Sequence, residues 1–351
     1  MTDRAGLIPV VHVASGREWR GGERQVFLLA RGMHASGRAS VQVVTQAGSQ
    51  LATRLGDHGV AVSAVTWDAG LDPRAAIRLA AMVGPDTIVH AHDAHAHAIV
   101  DITTRLRGGS VVATRRVDVA IGHPARWRRA RAAIALSVAV AERFRVAGVE
   151  PARVHIIPPA VEQPPKEHDE SIGPADDEIR IVCIAALTPE KGVDVLIDAV
   201  PALHAKFPAL RVIVLGDGPE RAALQHRIDA AGCGQAVVLA GHVDHPEQML
   251  SQATLAVQPS RAEGFGSSVL DALARGVPVV ASDTGGLRDA LLGGGGVLVP
   301  PNDPAALTGA IAALIDDPAQ RRRLAEAGRA AARQFTVDRL VSQTLDVYRS
   351  P

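Results

Sequence analysis

Short runs of apolar, often β-branched residues alternate along this chain with longer stretches whose apolar positions recur every three or four residues. That is the pattern of parallel strands, each followed by a helix that packs back on the sheet. In the first half it predicts strands over residues 7–14, 40–45, 60–65, 87–92, 110–114 and 134–136. Helical periodicity is clearest there over 23–36, 73–83 and 138–147. The second half predicts strands over 179–184, 211–215, 237–239, 254–258, 279–281 and 296–299. Its predicted helices cover 193–207, 219–231, 267–275, 304–315, 318–334 and 337–347.

Between the halves, residues 158–178 carry Pro158, Pro159, Pro164, Pro165 and Pro174 among clustered charges, the composition of a linker. A length of 351 residues also exceeds what one core holds, about 250–300 residues. The expectation is an α/β chain of two doubly wound, Rossmann-like domains facing a cleft, residues 1–164 and 165–351, with the last helix free to pack back on the first domain. Ligands in such sheets bind beyond the carboxyl ends of the strands. The loops that leave strands are therefore the ones to read.

With 47% apolar residues the chain is not disordered, and no apolar run reaches the roughly 18 residues of a membrane span. The first residues lack a signal peptide's apolar core and cleavage site, and Cys183 and Cys233 sit in apolar or small-residue surroundings. A cytoplasmic protein, at most peripheral on a membrane, is expected. Charge is unevenly shared. Residues 1–164 hold 20 Arg and no Lys against 13 acidic residues, a net +7, whereas residues 165–351 hold 17 basic and 24 acidic, a net −7. Such a basic half suits an anionic surface or substrate, although ordinary variation between two domains also produces it. Arg126-Trp127-Arg128-Arg129-Ala130-Arg131 could face anionic lipid or a phosphorylated acceptor with Trp127 at the interface, or be a solvated helix face. Nucleic acid is not expected, because aromatics at 3% leave few stacking platforms.

Among the loops, Pro259-Ser260-Arg261-Ala262-Glu263-Gly264-Phe265-Gly266-Ser267-Ser268 follows a predicted strand and enters a helix. Gly264 and Gly266 allow close backbone approach to a ligand, Ser267 or Ser268 can cap the helix, and its free N–H groups suit a phosphate. Glu263 could accept bonds from sugar hydroxyls, and Asp271, inside the helix, from a second diol such as a ribose. A plain strand–turn–helix accounts for the same residues. Thr188-Pro189-Glu190-Lys191-Gly192 puts Lys191 at a helix start, against the dipole unless an anion lies beside it; a solvated lysine is the alternative. Gly216-Asp217-Gly218 and Gly241-His242-Val243 leave strands on the same edge, and Trp19-Arg20-Gly21-Gly22-Glu23 joins the first strand to the first helix.

Taken together, these loops resemble those of the retaining GT-B glycosyltransferases of family 4. Glu263 to Asp271 is similar to that family's E-x7-E signature, followed by 274–286. The stretch 187–192 resembles its lysine loop, and 215–220 and 239–243 its later strand ends. The resemblance is strong over 179–315 and looser over the first half, through Gly21-Gly22 and His90-Ala91-His92. It implies a hexosyltransferase using a nucleotide-diphosphate sugar, with a glycan or lipid-linked acceptor. Glu263 and Lys191 would carry catalysis. Gly21, Gly22, Gly241, His242, Val243, Gly264, Phe265, Gly266, Ser267, Ser268 and Asp271 would bind the donor, and Trp19, His92, Arg115 and Arg116 would lie on the acceptor side. Stabilising charge on the departing diphosphate would fall to Lys191 and helix N-terminal amides, with no metal and no other cofactor.

Three positions depart from the family pattern. Asp271 stands for the second signature Glu, Ala186 for an arginine before the lysine loop, and Arg115-Arg116 where many members place a histidine. His90, His92, His95 and His97 could suggest a metal, but they are expected on a strand end and its following loop, without a partner motif. There is also no Asp-x-Asp pair. A nucleotide-sugar epimerase of the same architecture and a catalytically silent nucleotide-sugar-binding subunit remain the alternatives.

Overall fold

The computed structural model describes residues 7–67, 72–164 and 178–350. The expected linker therefore falls partly outside the described residues. The chain divides into two compact units, Met1–Ala160 with Val337–Pro351, and Val161–Thr336.

The first unit is a seven-stranded parallel sheet in the order β3-β2-β1-β4-β5-β6-β7. Its strands are β1 (Ile8–Ala14), β2 (Ala39–Gln46), β3 (Ala61–Val65), β4 (Ile88–Ala91), β5 (Ser110–Arg115), β6 (Ala132–Ala135) and β7 (Val154–Ile156). Strands β1 and β4 pair in register His12↔His90. Helices α1 (Gly21–Ser36) and α2 (Gln50–Asp57) cover one face, and α3 (Pro73–Ala80), α4 (Ala94–Arg107), α5 (Pro124–Arg129) and α6 (Val138–Val146) the other. Helix α4 overturns the reading of 93–97 as a loop. Asp93 caps it by accepting from the Ala96 N–H at 2.8 Å, the N-cap geometry that satisfies a free helix donor.

The second unit is a six-stranded parallel sheet, order β10-β9-β8-β11-β12-β13. Here β8 is Ile179–Ile184, β9 Leu210–Leu215, β10 Val237–Gly241, β11 Leu255–Gln258, β12 Val279–Ser282 and β13 Gly296–Val299. Its helices are α7 (Val193–Lys206), α8 (Arg221–Ala230), α9 (Pro246–Leu250), α10 (Ser267–Ala274), α11 (Leu287–Leu291), α12 (Pro304–Asp316) and α13 (Pro318–Ala332). The last helix, α14 (Val337–Arg349), belongs to the first unit, where Leu340, Val341, Leu345 and Tyr348 join the core against α1. Gly32 of α1 leaves space that Val337 and Val341 fill.

In each sheet the strand order reverses once, between β1 and β4 and between β8 and β11. Connections on either side of such a point diverge to opposite faces and leave a crevice at the strands' carboxyl ends. The loops after β1, β4, β8 and β11 are thereby placed where ligands can enter.

Candidate functional site

In the second unit the crevice brings together the loops after β8 and β11. After β8, Leu187 N–H donates to Asp217 O at 3.0 Å, and Pro189–Lys191 form one 3-10 turn before α7. Gly192 then takes φ +65°, and a Cβ there would collide with the Pro259 carbonyl. The lysine loop can lie against the β11 loop only because that position is glycine. The Arg261 and Ala262 N–H groups both donate to Glu190 O, at 2.8 and 3.2 Å.

This stitching sets Lys191 Nζ 2.7 Å from Glu263 Oε2. Their side chains keep 23% and 13% of their exposure, so the pair is half-shielded but open to a ligand. Glu263 also accepts from the Ser260 hydroxyl at 3.3 Å. Ser260 accepts from Gln258 Nε2 at 2.8 Å, and Gln258 Oε1 accepts from Ser268 Oγ at 3.0 Å. Gln258 and Ser260 are buried, so this chain of bonds fixes the carboxylate from behind.

Ser268 therefore does not cap α10, and neither does Ser267. The N-cap is Gly266 at φ +89°, with no side-chain cap bond. The first amides of α10 face the loop without a capping side chain, an arrangement suited to an anion. Phe265 is 3% exposed and packs edge-on to Phe335 at 5.6 Å, so only its backbone and that of Gly264 are offered to a ligand. Asp271 is buried in α10, with Arg275 Nη1 3.7 Å from its carboxylate. Gly241 is held beside the β9 loop by the Gly216 N–H at 2.8 Å from its carbonyl; His242 is exposed near Asp244, and Val243 is half-buried.

Arg261, which the sequence alone did not single out, braces the whole arrangement. Its guanidinium forks onto Asp194 at 2.8 and 2.7 Å, donates to Pro189 O at 2.6 Å and to Asn302 Oδ1 at 2.5 Å. Bidentate pairing of this kind fixes orientation as well as charge. Arg261 thus stands beside the lysine loop, where Ala186 supplies no cation, but its donors are spent on protein partners.

In the first unit, the loops after β1, β4 and β5 converge on the start of α1. Helix α1 has Arg20 as N-cap with no side-chain cap bond, and Gly22 lies against Arg116, a Cβ there standing 3.7 Å from Arg116 Cδ. Asp93 accepts from Ser15 N–H at 2.7 Å and Ser15 Oγ at 2.6 Å. Burial pushes the Glu23 carboxyl up, opposed in part by Arg116, and burial pushes the Arg116 guanidinium down to about 10. Arg116 donates to the His92 carbonyl at 2.6 Å and to His92 Nδ1 at 3.1 Å. Arg115 turns away from this cluster. It is buried and donates to Val119 O and Ala120 O at 2.5 and 3.0 Å, tying its own loop. Trp19 packs edge-on to Phe27 at 5.9 Å under Arg54.

Two further expectations are corrected. Trp127 is 5% exposed, stacked edge-on to His97 at 4.5 Å and packed on Phe144, so it is a core residue and no membrane anchor. Arg129 of the same segment pairs with Asp101, and Arg131 donates to the Tyr348 and Ser350 carbonyls. The histidines that come together are His12, His90 and His92, not the expected four: His95 is exposed and His97 faces Trp127.

Residues 165–331 match the family model for glycosyl transferases group 1, and residues 19–163 match that for glycosyltransferase family 4. Over 160 residues the chain is 36% identical to glycogen synthase of Mycobacterium tuberculosis, covering 45% of this chain and 38% of that protein. Over 220 residues it is 33% identical to D-inositol 3-phosphate glycosyltransferase of Acidothermus cellulolyticus, covering 58% and 49%. The chain thus spans half or less of the length of these curated relatives. Anabaena HepE, solved with UDP and glucose, superposes with a TM-score of 0.84 at 20% identity, covering 98% of this chain and 100% of that one. Sucrose-phosphate synthase of Thermosynechococcus elongatus gives 0.79 at 20%, covering 97% and 98%. The fold is GT-B.

Proposed function

We propose that this chain, which belongs to the group 1 glycosyltransferases of family 4, moves a hexose-type sugar from a nucleotide-diphosphate sugar to a glycan or lipid-linked acceptor, with retention of configuration. The observation that carries this reading is the Lys191–Glu263 pair at the switch point of the second sheet, beside the uncapped start of α10. A diphosphate carries the charge that Lys191 and the α10 amides can meet, and Glu263 can then turn to sugar hydroxyls. HepE solved with UDP-glucose supports a nucleotide-sugar donor for this fold.

Leaving-group charge is the quantity to stabilise, and preorganised donors do this most effectively in a half-dry crevice. The acceptor hydroxyl would attack from the leaving-group side, with a donor phosphate oxygen taking its proton. No protein carboxylate is needed as nucleophile, and no metal is assigned. Gly241, His242 and Val243 would border the base and Asp271 the ribose. Gly21, Gly22 and Arg116 would meet phosphoryl or acceptor groups, with Trp19 and His92 behind them.

The reading extends to a cytoplasmic enzyme of envelope polysaccharide synthesis, peripheral on an anionic membrane. No helix among the described residues is long and apolar enough to cross a membrane. Ile77 of α3 and Leu106 of α4 are 72% and 80% exposed, and Arg105 and Arg107 share α4 with Leu106. The test of the proposed function is a thermal-shift screen against nucleotide sugars, since a bound donor raises stability by mass action. Product analysis with an acceptor extract then follows. Sugar transfer with the α-linkage of an α-donor supports the reading; epimerised nucleotide sugar, or binding without turnover, overturns it.

A further inference from the structure

The buried histidines of the first unit form a row in which the position of each proton can be deduced. Arginine only donates. Arg116 bonds His92 at Nδ1, 3.1 Å away, so Nδ1 must hold the lone pair. Burial keeps His92 neutral, its pKa pushed well below the ordinary value, and its one proton is therefore on Nε2. That nitrogen lies 2.9 Å from His12 Nδ1 and donates to it. His12 is 0% exposed with its pKa lowered to about 3 by burial, so it too is neutral and carries its proton on Nε2, which has no partner among the described residues. His90 stands apart: Tyr348 Oη and Thr114 Oγ1 occupy its two nitrogens at 2.6 and 2.7 Å.

Ligand atoms of the three rings lie within 4.8 Å of one another, a spacing that could hold a metal ion. The proton inventory argues otherwise. The His92 nitrogen facing His12 carries hydrogen, both His90 nitrogens are taken by hydroxyls, and a guanidinium already stands against the cluster. The row ends instead at the start of α1, a 16-residue helix whose N-cap Arg20 makes no side-chain bond and whose first-turn Glu23 carboxyl takes the Arg20 and Glu23 backbone N–H groups. There Arg116 lies over bare Gly22, and its Nε has no partner among the described residues. Both neighbouring carboxylates are engaged: Asp93 by Ser15 and the α4 start, and Glu23, whose pKa burial raises, by backbone N–H groups, and both face Arg116.

We propose that His12 is a positioning residue: by accepting the His92 Nε2–H it fixes that ring, and through it holds Arg116 at the start of α1, where an anionic phosphoryl oxygen binds. A buried donor left without an acceptor, as at His12 Nε2, is the exception in folded proteins. It is explained if the opposite nitrogen is the one in use. The source of the phosphoryl oxygen, donor diphosphate or phosphorylated acceptor, rests on the glycosyltransferase reading; the hydrogen-bond row does not.

Histidine labelled with nitrogen-15 tests the row directly, since long-range proton–nitrogen correlation distinguishes the two tautomers. His12 and His92 should both be neutral at pH 7 with the proton on Nε2. Binding is then measured for UDP and for glucose 6-phosphate with wild type, His12→Asn and His12→Leu. Asn keeps an acceptor where Nδ1 stood, and Leu removes it. His12→Leu should weaken at least one probe about tenfold, the scale of one hydrogen bond's contribution, while His12→Asn stays within about threefold. Loss confined to UDP assigns the site to the donor, and loss confined to glucose 6-phosphate assigns it to the acceptor. Equal losses in both variants, no loss in either, a wild type that binds neither probe, His92 protonated at Nδ1, or stoichiometric zinc in the purified protein would each overturn the proposal. Should His12→Leu not fold, the wild-type tautomers decide. Absence of any sugar transfer would sink the glycosyltransferase reading while leaving this comparison intact.

Discussion

Lys191 Nζ lies 2.7 Å from Glu263 Oε2, although 72 residues separate the two in sequence. Each neutralises the other in a half-shielded crevice, and removing one leaves the other unmet. Lys191→Met should lower kcat by about 10²-fold, the usual cost of one charge-stabilising donor. It should also destabilise the fold by roughly 1–3 kcal/mol through the stranded carboxylate, a figure at the low end because both groups reach solvent. The double variant Lys191→Met/Glu263→Gln should recover stability in urea melts but not activity. Recovery of activity would show that the pair serves the fold alone.

Arg261 acts at one remove. Its fork onto Asp194 and its bond to Pro189 O hold the lysine loop against the β11 loop. Arg261→Lys keeps the charge and loses the planar fork, so it is not conservative here. Donor KM should rise and kcat fall, together about tenfold in kcat/KM, as expected when a catalytic group is loosened and not removed. Asp194→Asn should give the same phenotype, measured by steady-state kinetics. Unchanged kinetics in both would mean the loop keeps its place without the clamp.

The sheets are legible in the sequence because buried parallel strands read as short apolar runs: the twelve predicted strands all overlap observed ones, 134–136 by only two residues, and the three-residue edge strand β7 is not predicted. The features that the sequence does not show depend on distant partners. His12 occupies an ordinary position in strand 7–14, and only the β1–β4 register sets it against His90. Arg261 looked like a loop residue because Asp194 is 67 positions away. Helix α4 was hidden by the polar start of 93–97, although Asp93 at its head is a standard cap. The arginines around Trp127 suggest an interfacial residue, yet a six-residue helix packs it against Phe144 and His97. Composition of a short segment does not say which face is inside.

Metal dependence follows from the charge inventory. If Lys191 and the α10 amides suffice for the diphosphate, activity should persist in EDTA at undiminished kcat. Loss of activity in chelator, restored by magnesium or manganese, would contradict the mechanism proposed above.

Four buried histidines couple the fold to pH. Burial lowers His12 to about 3 and His97 to about 4, and pushes His90 and His92 well below the ordinary value. The unfolded chain binds protons at these rings below about pH 6.5, where the folded chain does not. More protons on the unfolded side means stability rises with pH through that window, and acid removes it. Each ring should contribute up to about 1.4 kcal/mol per pH unit between roughly pH 6 and the lowered value. Melting temperature should thus fall steeply from pH 6.5 to 5 and be flat, for these groups, above 7. His97→Gln should shallow the acid slope; an unaltered slope would show that His97 is protonated when folded.

The two carboxylates of the signature stand in different surroundings and should fail differently. Glu263 lies at the mouth of the crevice with Lys191 and Ser260 on its carboxylate, where bond breaking would change the charge it meets. Glu263→Gln should depress kcat by about 10²-fold or more. Asp271 is buried along α10 beside Arg275, toward the proposed ribose, which does not change during transfer. Asp271→Asn should mainly raise donor KM, because a lost charged hydrogen bond is worth roughly 1.5–3 kcal/mol of uniform binding. Asp271→Glu adds a methylene inside the packed helix face and should cost about 1–3 kcal/mol of stability while sparing kcat. Steady-state kinetics with calorimetry on the three variants separates the roles. If Glu263→Gln moves only KM while Asp271→Asn abolishes turnover, the assignments are reversed, and the Lys191 pair is a donor clamp and not part of the reacting centre.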